Sequence, residues 1–105
     1  MIQVKTSNWA RRIAKRKPEN SGWTWDVGKK ALYLKGENIF YAFVDLKWSY
    51  ETYQNISKPD VFIVPSNIVA NSLGPDLSRY MFWIMDDEQD KYFENWTPII
   101  EKLNE

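Results

Sequence analysis

The chain has neither cysteine nor histidine among its 105 residues. Without cysteine there are no disulfides, no thiolate nucleophile and no sulfur-ligated metal; without histidine there is no imidazole base and no example of the commonest metal ligand. Zinc sites and histidine-dependent triads are therefore excluded. No stretch approaches the roughly twenty apolar residues that cross a bilayer, and the first residues carry no apolar signal-peptide region. No membrane segment is expected, and the expected address is cytoplasmic. No repeat, low-complexity tract or linker interrupts the chain, so residues 1–105 are read as one domain.

What the chain does have is aromatic bulk. Residues are 44% hydrophobic and 16% aromatic, with six Trp and six Tyr, which fits one small domain whose core is built heavily from rings. Formal net charge is zero, yet residues 1–35 hold nine Lys or Arg against two acids, and residues 36–105 hold five against twelve. A split of that kind provides a basic surface for a polyanion, or two regions that neutralise one another within the fold or across a dimer.

The basic residues concentrate at Arg11, Arg12, Lys15, Arg16 and Lys17. With Ser7 or Asn8 as a cap, Arg11, Arg12, Lys15 and Arg16 share one face of a helix that ends at Lys17 before Pro18, and Trp9 and Ile13 lie beyond its edge. A cationic face of this type holds the phosphate backbone of DNA or RNA without reading sequence. Its alternative is a solvated helix or loop. No zinc finger or RNP motif accompanies it, so no base specificity is expected.

Further along, Pro18 to Gly22 reads as a turn and Trp23 to Val27 as a strand with Trp23, Trp25 and Val27 on one core-directed face. Stacking of these rings on nucleobases is the lesser possibility. Lys29 to Leu34 allows a single helical turn. Ile39 to Leu46 is almost continuously apolar and aromatic, as a central strand buried on both faces should be, and its one charge, Asp45, is expected to be solvated or capping. Lys47 to Lys58 reads as a long loop in which Trp48, Tyr50 and Tyr53 offer a contact surface or a lid. Val61 to Val64 is a second buried strand. A helix capped by Ser66 runs to Leu73 before Gly74-Pro75. Arg79 to Met85 alternates as a strand, the acids from Asp86 to Asp90 form a solvated turn that lacks the spacing of a calcium loop, and Thr97-Pro98 opens a terminal helix. The expected fold is α/β, bordering on α+β, with one mixed sheet of four or five strands and flanking helices.

The opening run, Ile2-Gln3-Val4-Lys5-Thr6-Ser7, has strand character, and alternation puts Gln3 and Lys5 on one side with Ile2, Val4 and Thr6 on the other, toward a core. Taken with Asn38 to Leu46 and with Asp60 to Ser66, it resembles the second half of a PD-(D/E)XK (restriction-endonuclease-like) nuclease domain. In that superfamily an Asp closes one strand, a Glu or Gln and a Lys follow on the next, and the three hold Mg²⁺ and position a water for phosphodiester cleavage. The resemblance makes Gln3 and Lys5 the second half of that motif. The strand with the metal-binding Asp is expected upstream of Gln3 and does not occur in this sequence. One neutral amide oxygen does not replace carboxylates around Mg²⁺.

The resemblance therefore implies a truncated or degenerate nuclease-like core with a vestigial site, no metal of its own, and Mg²⁺ or Mn²⁺ only where a partner chain completes the site. An exposed N-terminal strand also implies a homodimer or an exchanged strand. The rival is a non-enzymatic protein-interaction module that uses the aromatic loop or the sheet edge.

Overall fold

A computed structural model describes residues 1–75 and 78–105. The elements follow in the order β1 (Ile2–Ser7), β2 (Arg11–Arg12), β3 (Gly22–Asp26), β4 (Phe40–Asp45), β5 (Trp48–Ser49), β6 (Gln54–Asn55), β7 (Asp60–Pro65), α1 (Ser66–Asn71), β8 (Met81–Met85), α2 (Gln89–Tyr92) and α3 (Thr97–Leu103). Short 3₁₀ turns cover Pro18–Asn20, Lys29–Leu32 and Asp86–Glu88. Helix and strand are mixed as expected, but the single sheet of four or five strands is replaced by two three-stranded sheets and a small hairpin. The reason is a corner after Ser7, where the chain leaves the first sheet and begins the second.

The first sheet has the order β1-β4-β7, with β1 parallel to β4 and β7 antiparallel to it. The three segments that carry the nuclease-like resemblance are thus the three strands of one sheet. The second sheet, β2-β3-β8, is antiparallel. Rings from both inner faces fill the space between them. Trp25 lies 5.0 Å from Phe43 and 5.5 Å from Phe62, Trp23 lies 5.1 Å from Phe62, and Phe43 lies 5.2 Å from Phe82. Trp23, Trp25 and Val27 are all buried, so the core reading of that strand holds and those rings offer no stacking platform to a nucleobase.

At the corner, the buried Asp45 carboxylate accepts the backbone N–H groups of Ala10 and Lys47, each at 3.1 Å. Asp45 is 1% exposed, so of the two expected roles, solvated or capping, it takes the second: it holds the sheet-to-sheet crossing and the root of the hairpin together. The same crossing overrides the helix expected through Lys17. Thr24 N–H donates to Ala10 O at 3.0 Å, Ala14 N–H donates to Ser21 Oγ at 2.8 Å, and Arg11 and Arg12 pair with Trp23 and Gly22. A nine-residue helix is marginal alone, and tertiary partners satisfy this backbone instead.

Two smaller expectations change. Lys47 to Lys58 is not a structureless loop: β5 and β6 pair within it, with Tyr53 at φ 54° in the turn. Ser66 is not the cap of α1. Pro65 occupies that position, while buried Ser66 donates its hydroxyl to Gly36 O at 3.1 Å. Among the described residues no helix is long and apolar enough to cross a membrane.

Gly22 sits opposite Met85 where β3 and β8 leave no room for a side chain. A Cβ there would collide with the Ile84 carbonyl oxygen and lie 3.0 Å from Met85 Cα, both of them backbone. Gly22→Ala is therefore expected to cost about 1–3 kcal/mol through forced strand displacement. Urea denaturation checks this, and an unchanged midpoint would count against such close strand packing.

Candidate functional site

Strand register decides where the motif residues go. Gln3 pairs with Tyr41, Lys5 with Phe43 and Ser7 with Asp45, so all six share the inner face. Ile2, Val4 and Thr6 fall on the outer face and are exposed. This reverses the sequence expectation, in which the apolar members of β1 faced the core. The pairing with β4 is what fixes the choice, because a one-residue slip would turn every side chain over. The ring-filled core stops at β4, and the edge strand contributes polar side chains beyond it.

The result is a pocket of about 300 Å³ lined by Gln3, Lys5, Lys30, Tyr33 and Tyr41 above an apolar floor of Val27, Ala31 and Leu34. Lys5 comes from the edge strand, half-buried, and exposed Lys30 comes from the 3₁₀ turn at Lys29–Leu32. No carboxylate lines the pocket, and neither lysine forms an ion pair among the described residues. Tyr41 stacks on Phe43 with ring centroids 5.2 Å apart. Burial pushes its hydroxyl pKa above the ordinary tyrosine value.

Two lysines, a glutamine and two tyrosines over an apolar floor offer hydrogen-bond donors of the kind that suit a small anion. The same groups do not suit Mg²⁺, which takes hard oxygens in a near-octahedral shell. The pocket supplies one amide oxygen and hydroxyls, and among the described residues no group of three or more His, Cys, Asp or Glu side chains is placed to hold a metal ion. No hydrolytic step follows from these residues.

The predicted phosphate contacts separate into two kinds. The Arg11 guanidinium is taken up: it forms a two-pronged pair with the Asp86 carboxylate, with Nη2 to Oδ2 at 3.0 Å, and lies 4.3 Å over the Trp23 ring. Arg12 turns Nη1 to the carbonyls of Trp9 and Arg11 at 2.8 and 3.0 Å. Arg12, Lys15, Arg16 and Lys17 are exposed and make no ion pair among the described residues. They form an irregular basic loop rather than one face of a helix. This loop meets β3 at Gly22, whereas the pocket touches Val27 beyond its other end, so the two are about 17 Å apart at strand spacing. The structure does not merge them into one site. Lys30, Tyr33 and Tyr41 were missed by sequence reasoning; only the tertiary fold brings Lys30 to Lys5, and no spacing in the chain signals it.

The Arg11 pair makes acid stability testable. The guanidinium's hydrogen bond holds the Asp86 carboxyl below the ordinary carboxylate value, outweighing a small opposing effect of burial. The folded state thus binds this proton less readily than the unfolded chain. Its stabilisation is present at neutral pH and is lost as pH falls through the lowered folded pKa. Asp86→Asn is expected to lower the denaturation midpoint at neutral pH and to flatten the decline below about pH 4. An unchanged acid limb would show that this partly exposed pair is silent.

Comparison with known protein families, characterised proteins and solved structures finds no match to this chain.

Proposed function

We propose that the chain is a degenerate nuclease-like domain that binds the phosphate backbone of DNA or RNA and is catalytically impaired by itself. The observation that carries this reading is the inward turn of Gln3 and Lys5, which join Lys30 in an acid-free pocket at the sheet edge. Phosphate is the natural occupant of such a lining, since each oxygen accepts from an ammonium or hydroxyl without an opposing carboxylate. The exposed loop of Arg12, Lys15, Arg16 and Lys17 adds sequence-independent attraction some distance away, as an extended polyanion can exploit. Gln3 and Lys5 act here as phosphate contacts, with Tyr41 as an added donor. Arg11 is withdrawn from the contact set because Asp86 already occupies it.

The test titrates a fluorescent duplex and a fluorescent single strand with the whole chain at low and moderate salt, with and without Mg²⁺ or Mn²⁺. The expected result is binding that weakens steeply with salt and leaves both substrates intact. Cleavage that requires metal would mean that a partner chain supplies the missing carboxylates. No binding at low salt would overturn the reading.

A second reading, a protein-interaction module, is favoured by the β5–β6 hairpin. Tyr50, Tyr53 and Ile56 are 68%, 77% and 53% exposed there, a concentration of apolar surface suited to a protein partner. Binding through it would be almost insensitive to salt.

A further inference from the structure

The two edges of the first sheet are treated differently. Along β7, Phe62 bridges to Phe93 and Glu94 N–H donates to Val61 O at 2.8 Å, so that edge is covered. Along β1, Phe40 N–H donates to Met1 O at 3.0 Å and Leu46 N–H donates to Ser7 O at 2.9 Å. A parallel ladder between these ends engages the odd-numbered residues of β1 and turns the N–H and C=O groups of Ile2, Val4 and Thr6 outward. Those groups have no partner among the described residues. The same residues carry apolar surface, with Ile2 44% and Val4 62% exposed. Open amides beside exposed β-branched side chains form an edge that takes another strand.

The sequence of that edge selects a copy of itself. We propose that a second copy of this chain pairs with β1 antiparallel, with Val4 on the two-fold axis. In this register Val4 faces the partner's Val4, and Ile2 faces the partner's Thr6 on both sides of the axis. Three pairs then exchange about two hydrogen bonds each. On the inner face, Lys5 meets the partner's Gln3, an ammonium against a carboxamide oxygen in the closer, non-hydrogen-bonded type of pair. The neighbouring registers are poorer. Moving the axis to Lys5 sets two lysines directly opposite each other, which is destabilising. Moving it to Gln3 leaves only two outward pairs and strands Thr6.

The selected arrangement makes one six-stranded sheet and brings the partner's Gln3 to the pocket of Lys5, so each anion site gains a donor and acceptor from the other chain. A second pocket of about 330 Å³, in which Asn38 and Lys102 join the apolar Met1, Ile2, Phe40, Ile99 and Leu103, adds apolar area beside the strand. The inference stands independently of nucleic-acid binding.

Because the chain has no cysteine, one introduced thiol reports the register. Val4→Cys places its two copies about 5.5 Å apart at the Cα atoms, inside disulfide range. Thr6→Cys places its copies roughly four residues apart along the strands, about 13 Å, out of range. Sedimentation equilibrium should find a dimer at micromolar concentration, mild oxidation should cross-link Val4→Cys and not Thr6→Cys, and Val4→Lys should be a folded monomer by near-ultraviolet dichroism. A natural chain that stays monomeric, or a Thr6→Cys variant that cross-links as readily as Val4→Cys, overturns the proposal. If Val4→Lys fails to fold, the two cysteine variants decide it alone.

Discussion

Replacing Trp25 by alanine is expected to remove about 3–5 kcal/mol of stability, a large share of the roughly 5–15 kcal/mol that holds a small domain folded. Trp25 is 2% exposed and bridges the two sheets, with its ring against Phe43 and Phe62 and its indole N–H donating to Val44 O at 3.0 Å. Alanine would leave a void bounded by rings on two sheets that are tied by their own ladders and cannot close over it. Trp25→Phe retains part of the ring contact and loses only the polar anchor, so its cost should be clearly smaller. Chemical denaturation followed by far-ultraviolet dichroism measures both. Equal losses in the two variants would assign the effect to the hydrogen bond and refute the packing account.

The second large effect concerns binding. Lys5→Ala with Lys30→Ala removes both ammonium groups from the pocket and should lower the slope of log affinity against log salt by about two units. Affinity at low salt should fall at least roughly tenfold, by an amount similar for all sequences of a given strand type. Lys30 is on the surface and Lys5 is on an edge strand, so the fold should survive. Thermal unfolding of the double variant confirms that, and a preserved slope with a preserved fold would remove the pocket from the binding surface. A matching loss from Lys15→Ala and Arg16→Ala would show that the distant loop shares the load.

The strands around the core were legible because their patterns were strong. Trp23 to Val27, Ile39 to Leu46 and Val61 to Val64 read correctly, since rings and β-branched residues in short runs have few other uses. The arrangement of those strands was not legible. Nothing local announces that the chain turns a corner after Ser7, or that a buried Asp45 stabilises the turn; a carboxylate near a strand end looks the same whether water or two backbone N–H groups satisfy it. The helical spacing of Arg11, Arg12, Lys15 and Arg16 was real as a pattern, but pairing with Trp23 and Gly22 and capture of Arg11 by Asp86 outweighed it. At the candidate site, Gln3 and Lys5 were proposed from a resemblance alone, while the face they occupy depended on the register with β4. Alternation fixes which residues go together, and only the partner strand fixes which way they point.

The order of pairing also governs how this chain comes together. Ile2 meets Phe40, and Gly22 meets Met85, so the principal ladders close large loops before they gain any stabilisation. Folding should accordingly fall in the millisecond-to-second range rather than among the microsecond folders. During synthesis, Trp23 and Trp25 emerge before Phe43 and Phe62, the rings that cover them, and at roughly 5–20 residues per second they wait several seconds for Phe62. In that interval two of the largest apolar side chains in the molecule are uncovered, and the growing chain depends on speed or a chaperone to keep them from one another's company.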